Sequence, residues 1–143
     1  MVVNKIPLYV FEVLDKVRKA RSKEQKISIL RENETWALKD VLGGIYDDSI
    51  SWILPGGTPP FKESREESVP SNLLRRHKDF KYFFKGGPGE KLNTIKREAL
   101  FIGLLEGIHP QDAELVIKMI NKEKLDGITK NVVIEAFPSL PIK

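Results

Sequence analysis

An all-α fold is predicted from three observations. Apolar residues recur at three- and four-residue spacing through most of the chain. Serine, threonine or asparagine stands where several of these runs begin, and glycine or proline where they end. The one stretch that breaks the periodicity is rich in proline instead of alternating β-branched residues. At 143 residues the chain can bury one core without metal or disulfide staples, and with no cysteine it has no disulfide and no thiolate metal site. The expectation is a single compact domain, residues 1–143, of about six short helices.

Leu8, Phe11, Leu14, Val17 and Ala20, widened by Val10 and Val13, form the apolar stripe of a first helix. Ser22 opens a second, with Gln25 completing a capping box and Ile27, Ile29 and Leu30 as the inner face. Asn33 and Thr35 punctuate before a third helix through Trp36, Leu38, Val41 and Leu42. Gly43 and Gly44 are expected to loosen or end it. From Tyr46 to Pro70 the helical pattern fails. Ile50–Ile53 reads as a short extended piece and Pro55–Pro60 as a rigid loop, with four of the nine prolines between 55 and 70.

Ser71 is expected to cap a short helix through Leu73, Leu74 and His77 towards Phe80, with Phe80, Phe83 and Phe84 mostly buried. Lys85–Gly89 reads as an exposed loop. A long helix should follow from about Lys91, buried through Ile95, Leu100, Ile102, Leu104 and Leu105. Pro110 suits the first position of the next helix, whose core face is Leu115, Val116, Met119 and Ile120. A last helix begins near Thr129 and stops at Pro138.

Composition is that of an ordinary soluble domain, 41% hydrophobic and 31% charged, with no apolar run of membrane-spanning length. Met1–Lys5 lacks the basic and apolar regions of a secretion signal, so a cytoplasmic protein is expected. Net charge is +4, unevenly spread. Between residues 75 and 97 eight cations (Arg75, Arg76, Lys78, Lys81, Lys85, Lys91, Lys96, Arg97) face only Asp79 and Glu90, a local net of +6. A concentrated positive field is the footprint of a phosphate-facing surface. The turn Gly127-Ile128-Thr129-Lys130 offers a second such feature: helix-opening amides, a hydroxyl and a charge where a phosphate oxygen would fit.

Catalysis is not expected. The Lys85–Lys91 loop lacks the strand, spacing and hydroxyl of a phosphate-binding loop. His77 and His109 are the only histidines and have no second ligand at metal-binding spacing. Carboxylate pairs such as Asp47-Asp48 and Glu66-Glu67 lie in polar stretches where solvation is the default. Lys124-Leu125-Asp126-Gly127 spells the lysine motif of nucleotidyltransferases, but too few residues follow Lys124 to supply the phosphate- and metal-binding groups that such chemistry needs. Gly127 is instead expected at the left-handed C-cap of a helix. No cofactor and no metal are expected.

Ile95-Lys96-Arg97-Glu98, followed by Leu125-Asp126-Gly127-Ile128-Thr129-Lys130 and Val132–Pro138, resembles the end of the helical N-terminal DNA-binding domain of phage-type ATP-dependent DNA ligases. Phe11–Leu14, Ser22–Asn33, Leu38–Leu42, Ile45-Tyr46 and Ile50–Ile53 are similar to that domain's first half. The resemblance covers 8–55 and 92–140; a Pro/Gly-rich and basic insertion at about 56–91 has no counterpart. It implies a monomeric module, outside an enzyme, that binds double-stranded DNA, nicked or intact, without reading sequence, and contacts it from the minor-groove side. Such a module would support phage DNA replication, recombination or repair in the host cytoplasm, alongside a protein partner of that machinery. Phosphate contacts would come from the eight cations of 75–97 together with Gly127, Thr129 and Lys130.

Two other classes stay open. One is a phage protein–protein interaction factor, a regulator or inhibitor, using Pro55–Phe61 and the acidic stretch Glu63–Glu67 as a docking strip. The other is a minor virion component.

Overall fold

The computed structural model describes residues 8–65 and 68–143, and Met1–Lys5, Glu66 and Glu67 lie outside the described residues. The fold is all-α. Seven α-helices are present among the described residues: α1 (Val10–Lys19), α2 (Lys23–Glu32), α3 (Trp36–Tyr46), α4 (Leu73–Arg76), α5 (Thr94–Glu106), α6 (Pro110–Ile120) and α7 (Lys130–Ala136). Two 3-10 turns, His77–Tyr82 and Pro88–Lys91, lie between α4 and α5. The only β element described is a single antiparallel bridge, Trp52 to Phe84, where the sequence suggested an extended piece.

Side chains satisfy the orphan amides at most helix starts. Ser22 Oγ accepts from Gln25 N at 3.1 Å, Thr35 from Leu38 N at 3.1 Å and Thr129 from Val132 N at 3.2 Å. Gln25 reaches back one residue further than a capping box requires, to Arg21 N. Asn72 caps α4, displacing the expected Ser71, because it stands directly before the first helical residue. Asn93 caps α5, so that helix starts at Thr94, later than Lys91. Pro110 occupies the first position of α6, behind His109, whose Nδ1 accepts from Gln111 N.

α6 is the central helix. It packs against α1, α3 and α5, while α2 rests on α1 and α7. Ala113, Val116 and Met119 have no exposed surface. Fully burying a side chain the size of Val116 or Met119 contributes roughly 1.5–3 kcal/mol. The 56–91 segment shares this core, since Leu73, Phe80 and Phe83 are buried within the same cluster.

Two features depart from the periodic reading. α3 runs through Gly43 and Gly44 to Tyr46. Gly44 is there for close approach: a Cβ would lie 2.6 Å from Met119 Sδ and 2.7 Å from Trp52 Cζ2. Trp52 Nε1 donates to the Gly44 carbonyl at 3.1 Å across that contact. In α5, Ile95 and Leu100 point outwards and Ile102 is half-buried; the buried residues are Arg97, Phe101, Leu104 and Leu105. The helix is apolar on most of its circumference, so spacing alone does not select its inner face.

Asp112 in α6 is 1% exposed. Its Oδ1 accepts from Phe11 N of α1 at 3.0 Å, and Oδ2 has no hydrogen-bond partner among the described residues. Burial pushes its carboxyl up to about 6 from 3.8, the Phe11 hydrogen bond opposing and nearby Glu12 adding to the shift. A raised folded value places the stabilising state at low pH. The contribution is complete below about 4 and is lost as pH rises through about 6.

The unfolding free energy from denaturant titrations should therefore fall between pH 4 and 7 by an Asp112-dependent amount on the order of 2–3 kcal/mol. Asp112→Asn, which retains the acceptor for Phe11, should remove that part of the slope. An unchanged slope would contradict the assignment. The adjacent glycines should separate by sign. An added Cβ at Gly43 meets nothing within 4 Å, so Gly43→Ala should stabilise by roughly 0.5–1 kcal/mol. Gly44→Ala should destabilise by about 1–3 kcal/mol through overpacking. Equal thermal shifts for the two would refute the close-approach account.

Candidate nucleic-acid interface

The basic segment folds as one packed unit. α4 leads directly into the His77–Tyr82 turn, and the Pro88–Lys91 turn packs against it. Residues three apart on a 3-10 helix eclipse one another. Lys78 and Lys81 consequently stack on one side, and Arg75, one turn earlier in α4, continues roughly the same line. All three are exposed, while Leu73, Phe80 and Phe83 point inwards.

Lys85 follows the Trp52–Phe84 bridge, with its amide held by the Ser51 carbonyl at 2.8 Å. Glu90, the acid in this loop, accepts from Gly86 N at 2.9 Å. The loop is less free than the sequence suggests. Gly89 is buried on the Tyr82 backbone, where a Cβ would fall 2.0 Å from the Tyr82 oxygen.

Arg97 explains this closure and corrects its place in the expected site. It is 8% exposed and turned inwards. Its guanidinium donates to the carbonyls of Gly89 (Nε and Nη2, both 3.2 Å), Glu90 (3.3 Å) and Leu92 (2.8 Å). No DNA phosphate can be reached from there without breaking the fold. Arg76 is also engaged, its Nε 2.8 Å from Asp79 Oδ2.

The remaining six, Arg75, Lys78, Lys81, Lys85, Lys91 and Lys96, are exposed. None of them pairs with a carboxylate of the described residues. Lys81 lies over the Tyr82 ring at 5.3 Å. The aromatics of the segment are core or half-buried, so no aromatic there is freely exposed for base stacking.

The Gly127–Lys130 turn is a separate feature with a structural occupation of its own. Gly127 has φ +75° but is not a helix C-cap. α6 ends earlier, at Ile120, and Lys122 with φ +55° follows the Asn121 cap. The intervening residues dock on Tyr46: its hydroxyl donates to the Ile128 carbonyl at 2.6 Å and accepts from Leu125 N at 3.0 Å. Thr129 spends its oxygen on the α7 cap, and Lys130 pairs with Asp48 at 3.0 Å. Burial raises the Tyr46 hydroxyl above its ordinary value, with the Leu125 amide opposing.

Lys124 lies over the Tyr46 ring at 4.9 Å. With Asp126 it lines a groove of about 530 Å³ between α1 and α6. The groove mixes carboxylates (Asp15, Glu114, Glu123, Asp126) with cations (Arg18, Lys118, Lys124), which makes it a poor pocket for a polyphosphate. His77 Nδ1 is 2.5 Å from Asp40 Oδ2, an interaction between α3 and the 3-10 turn. No cluster of three or more potential metal ligands occurs among the described residues. Nor is any helix there long and apolar enough to cross a membrane.

Comparison with known proteins gives one positive result. No curated protein and no solved structure matches the chain. The likeness to the ligase module thus rests on its sequence motifs. A family match covers residues 13–126, a range that includes the 56–91 segment and stops before the Gly127 turn. The chain belongs to that family, described as a family of unknown function (DUF6433).

Proposed function

We propose that this chain is a non-enzymatic protein that binds duplex DNA through its phosphate backbone, without reading sequence. The observation supporting this reading is the set of six exposed cations that pair with no carboxylate of the described residues, on a segment whose Pro88–Lys91 turn Arg97 ties to α5. Lysines and arginines gathered this way release counterions from DNA irrespective of base order. Duplex is favoured over single strands because the aromatics among these cations face the core or are half-buried. Among the described residues no exposed helix face concentrates arginine, asparagine and glutamine for base readout.

The Gly127–Lys130 turn has a lesser part in this reading, since Thr129 and Lys130 already have partners. The implied setting is cytoplasmic DNA replication, recombination or repair, on intact or nicked duplex.

A protein-interaction role is the second reading, and Trp36 favours it. That side chain is 66% exposed on α3, outside the basic unit, with Lys39 4.5 Å from its ring centroid. The Pro55–Phe61 loop is pinned for presentation by Asn121, which exchanges hydrogen bonds with Gly57 at 2.7 and 3.1 Å.

Fluorescence anisotropy on labelled duplexes at about 50 and 200 mM salt distinguishes these readings. With roughly four to six phosphates contacted and a slope of about −0.9 per phosphate, affinity should drop roughly a hundred- to a thousandfold. Arg75→Glu, Lys78→Glu and Lys81→Glu together should weaken binding to all sequences alike and flatten the slope. Lys130→Glu should have a smaller effect. Absence of wild-type binding at low salt, or binding confined to one sequence, would contradict the proposal. Incubation with labelled ATP and magnesium should leave Lys124 unmodified; an acid-labile adenylate lost in Lys124→Ala would overturn the non-enzymatic reading.

A further inference from the structure

Ile95 is 81% exposed, more than any other large apolar side chain among the described residues. It stands in the first turn of α5 and shares a helix side with the exposed Ala99 and Gly103 at four-residue spacing. Above Gly103 an added Cβ meets no protein atom within 4 Å, so this face is open along its length. The helix itself does not require isoleucine here. Asn93 supplies the cap, and a β-branched residue forms helix less readily than alanine. The core does not require it either, since Arg97, Phe101, Leu104 and Leu105 make the inner face.

The surroundings indicate what covers it. Lys96 is the next residue, and Lys91 is held beside this turn because Arg97 binds the carbonyls of Gly89, Glu90 and Leu92. Both lysines are exposed, and neither pairs with a carboxylate of the described residues. An apolar tip beside exposed cations complements an anionic surface with an apolar interior. A second copy fits poorly. It would bring these same lysines together, and the strip from Ile95 to Gly103 is only about 12 Å long, too short for the roughly 800 Å² per partner of a stable interface. Minor-groove proteins use this combination, cations on flanking phosphates and an aliphatic wedge against the base pairs.

We infer that Ile95 enters the minor groove of the bound duplex and packs against a base step, with Lys91 and Lys96 on the flanking phosphates. This inference rests on the duplex-DNA reading above.

The test compares wild type, Ile95→Ser, Ile95→Leu and Lys96→Gln on a duplex carrying 2-aminopurine. Circular dichroism confirms the helical content of each variant. Ile95→Ser should bind about tenfold more weakly with an unchanged salt slope, because the lost contact is apolar. It should also lose the 2-aminopurine fluorescence increase that reports unstacking. Ile95→Leu should retain both. Lys96→Gln should make the slope shallower by about 0.9.

Wild-type affinity and 2-aminopurine signal in Ile95→Ser would overturn the wedge while leaving backbone binding intact. So would a wild-type dimer in sedimentation that Ile95→Ser converts to monomer without changing DNA affinity. Failure of the wild type to bind duplex at low salt would remove the duplex-DNA reading itself.

Discussion

The buried guanidinium of Arg97 is the constraint on which the presentation of the basic surface depends. A charge taken out of water is costly unless it is well hydrogen-bonded. Arg97 meets that condition with three backbone carbonyls from the Pro88–Lys91 turn and its exit. The exchange works in both directions. The Gly89 carbonyl already takes the Leu92 amide, and a planar fork of donors on α5 reaches it together with the Glu90 and Leu92 carbonyls. The loop that would otherwise be a mobile glycine-rich connection becomes part of the helix surface. Lys91 is fixed relative to Lys96 as a result. Preorganisation of this kind reduces the entropic cost of docking charges onto a rigid duplex.

The chain between α6 and α7 is closed by a different device. Tyr46, 1% exposed at the end of α3, ties down the chain between α6 and α7 through its hydroxyl. Next to it, Asp47 Oδ1 accepts from the Ser49 amide and hydroxyl and from Lys143 N, while its carbonyl accepts from Lys122 Nζ. Burial works against ionisation of Asp47, but the Ser49 contacts, the Lys143 amide and the Lys122 charge together hold its carboxyl below the ordinary value. Cations here serve the fold: Lys122 and Lys130 have protein partners, and Lys124 covers a ring. In the 75–96 unit Arg76 pairs with Asp79 and Lys81 lies over the Tyr82 ring, while Arg75, Lys78, Lys85, Lys91 and Lys96 pair with no carboxylate of the described residues.

Elements with a single apolar stripe were legible in the sequence. α1 and α6 bury the valines and leucines that their spacing marks, and Pro110 and Thr129 stand where helix starts require them. Position 97 was not legible, because a buried arginine paired only with carbonyls has the same sequence signature as a surface one. Gly44 misled for a related reason: glycine marks both a helix end and a close helix contact, and only the partner Met119 decides between them. Reading Ile95 as core failed because an outward apolar face obeys the same periodicity as an inward one. Among the candidate site residues, six of the eight cations of 75–97 are exposed, as charge density in the sequence led one to expect. The occupation of Thr129 and Lys130 depends on Asp48 and a cap geometry that local sequence does not reveal.

The central claim is that one surface, built from α4, the two 3-10 turns and the start of α5, meets duplex DNA. Amide chemical-shift mapping during titration with a short unlabelled duplex tests it most directly. The account predicts perturbations concentrated between residues 75 and 97, with α2 and the Trp36 end of α3 unchanged. Perturbations centred on α2 and α7, or none at low salt, would contradict it.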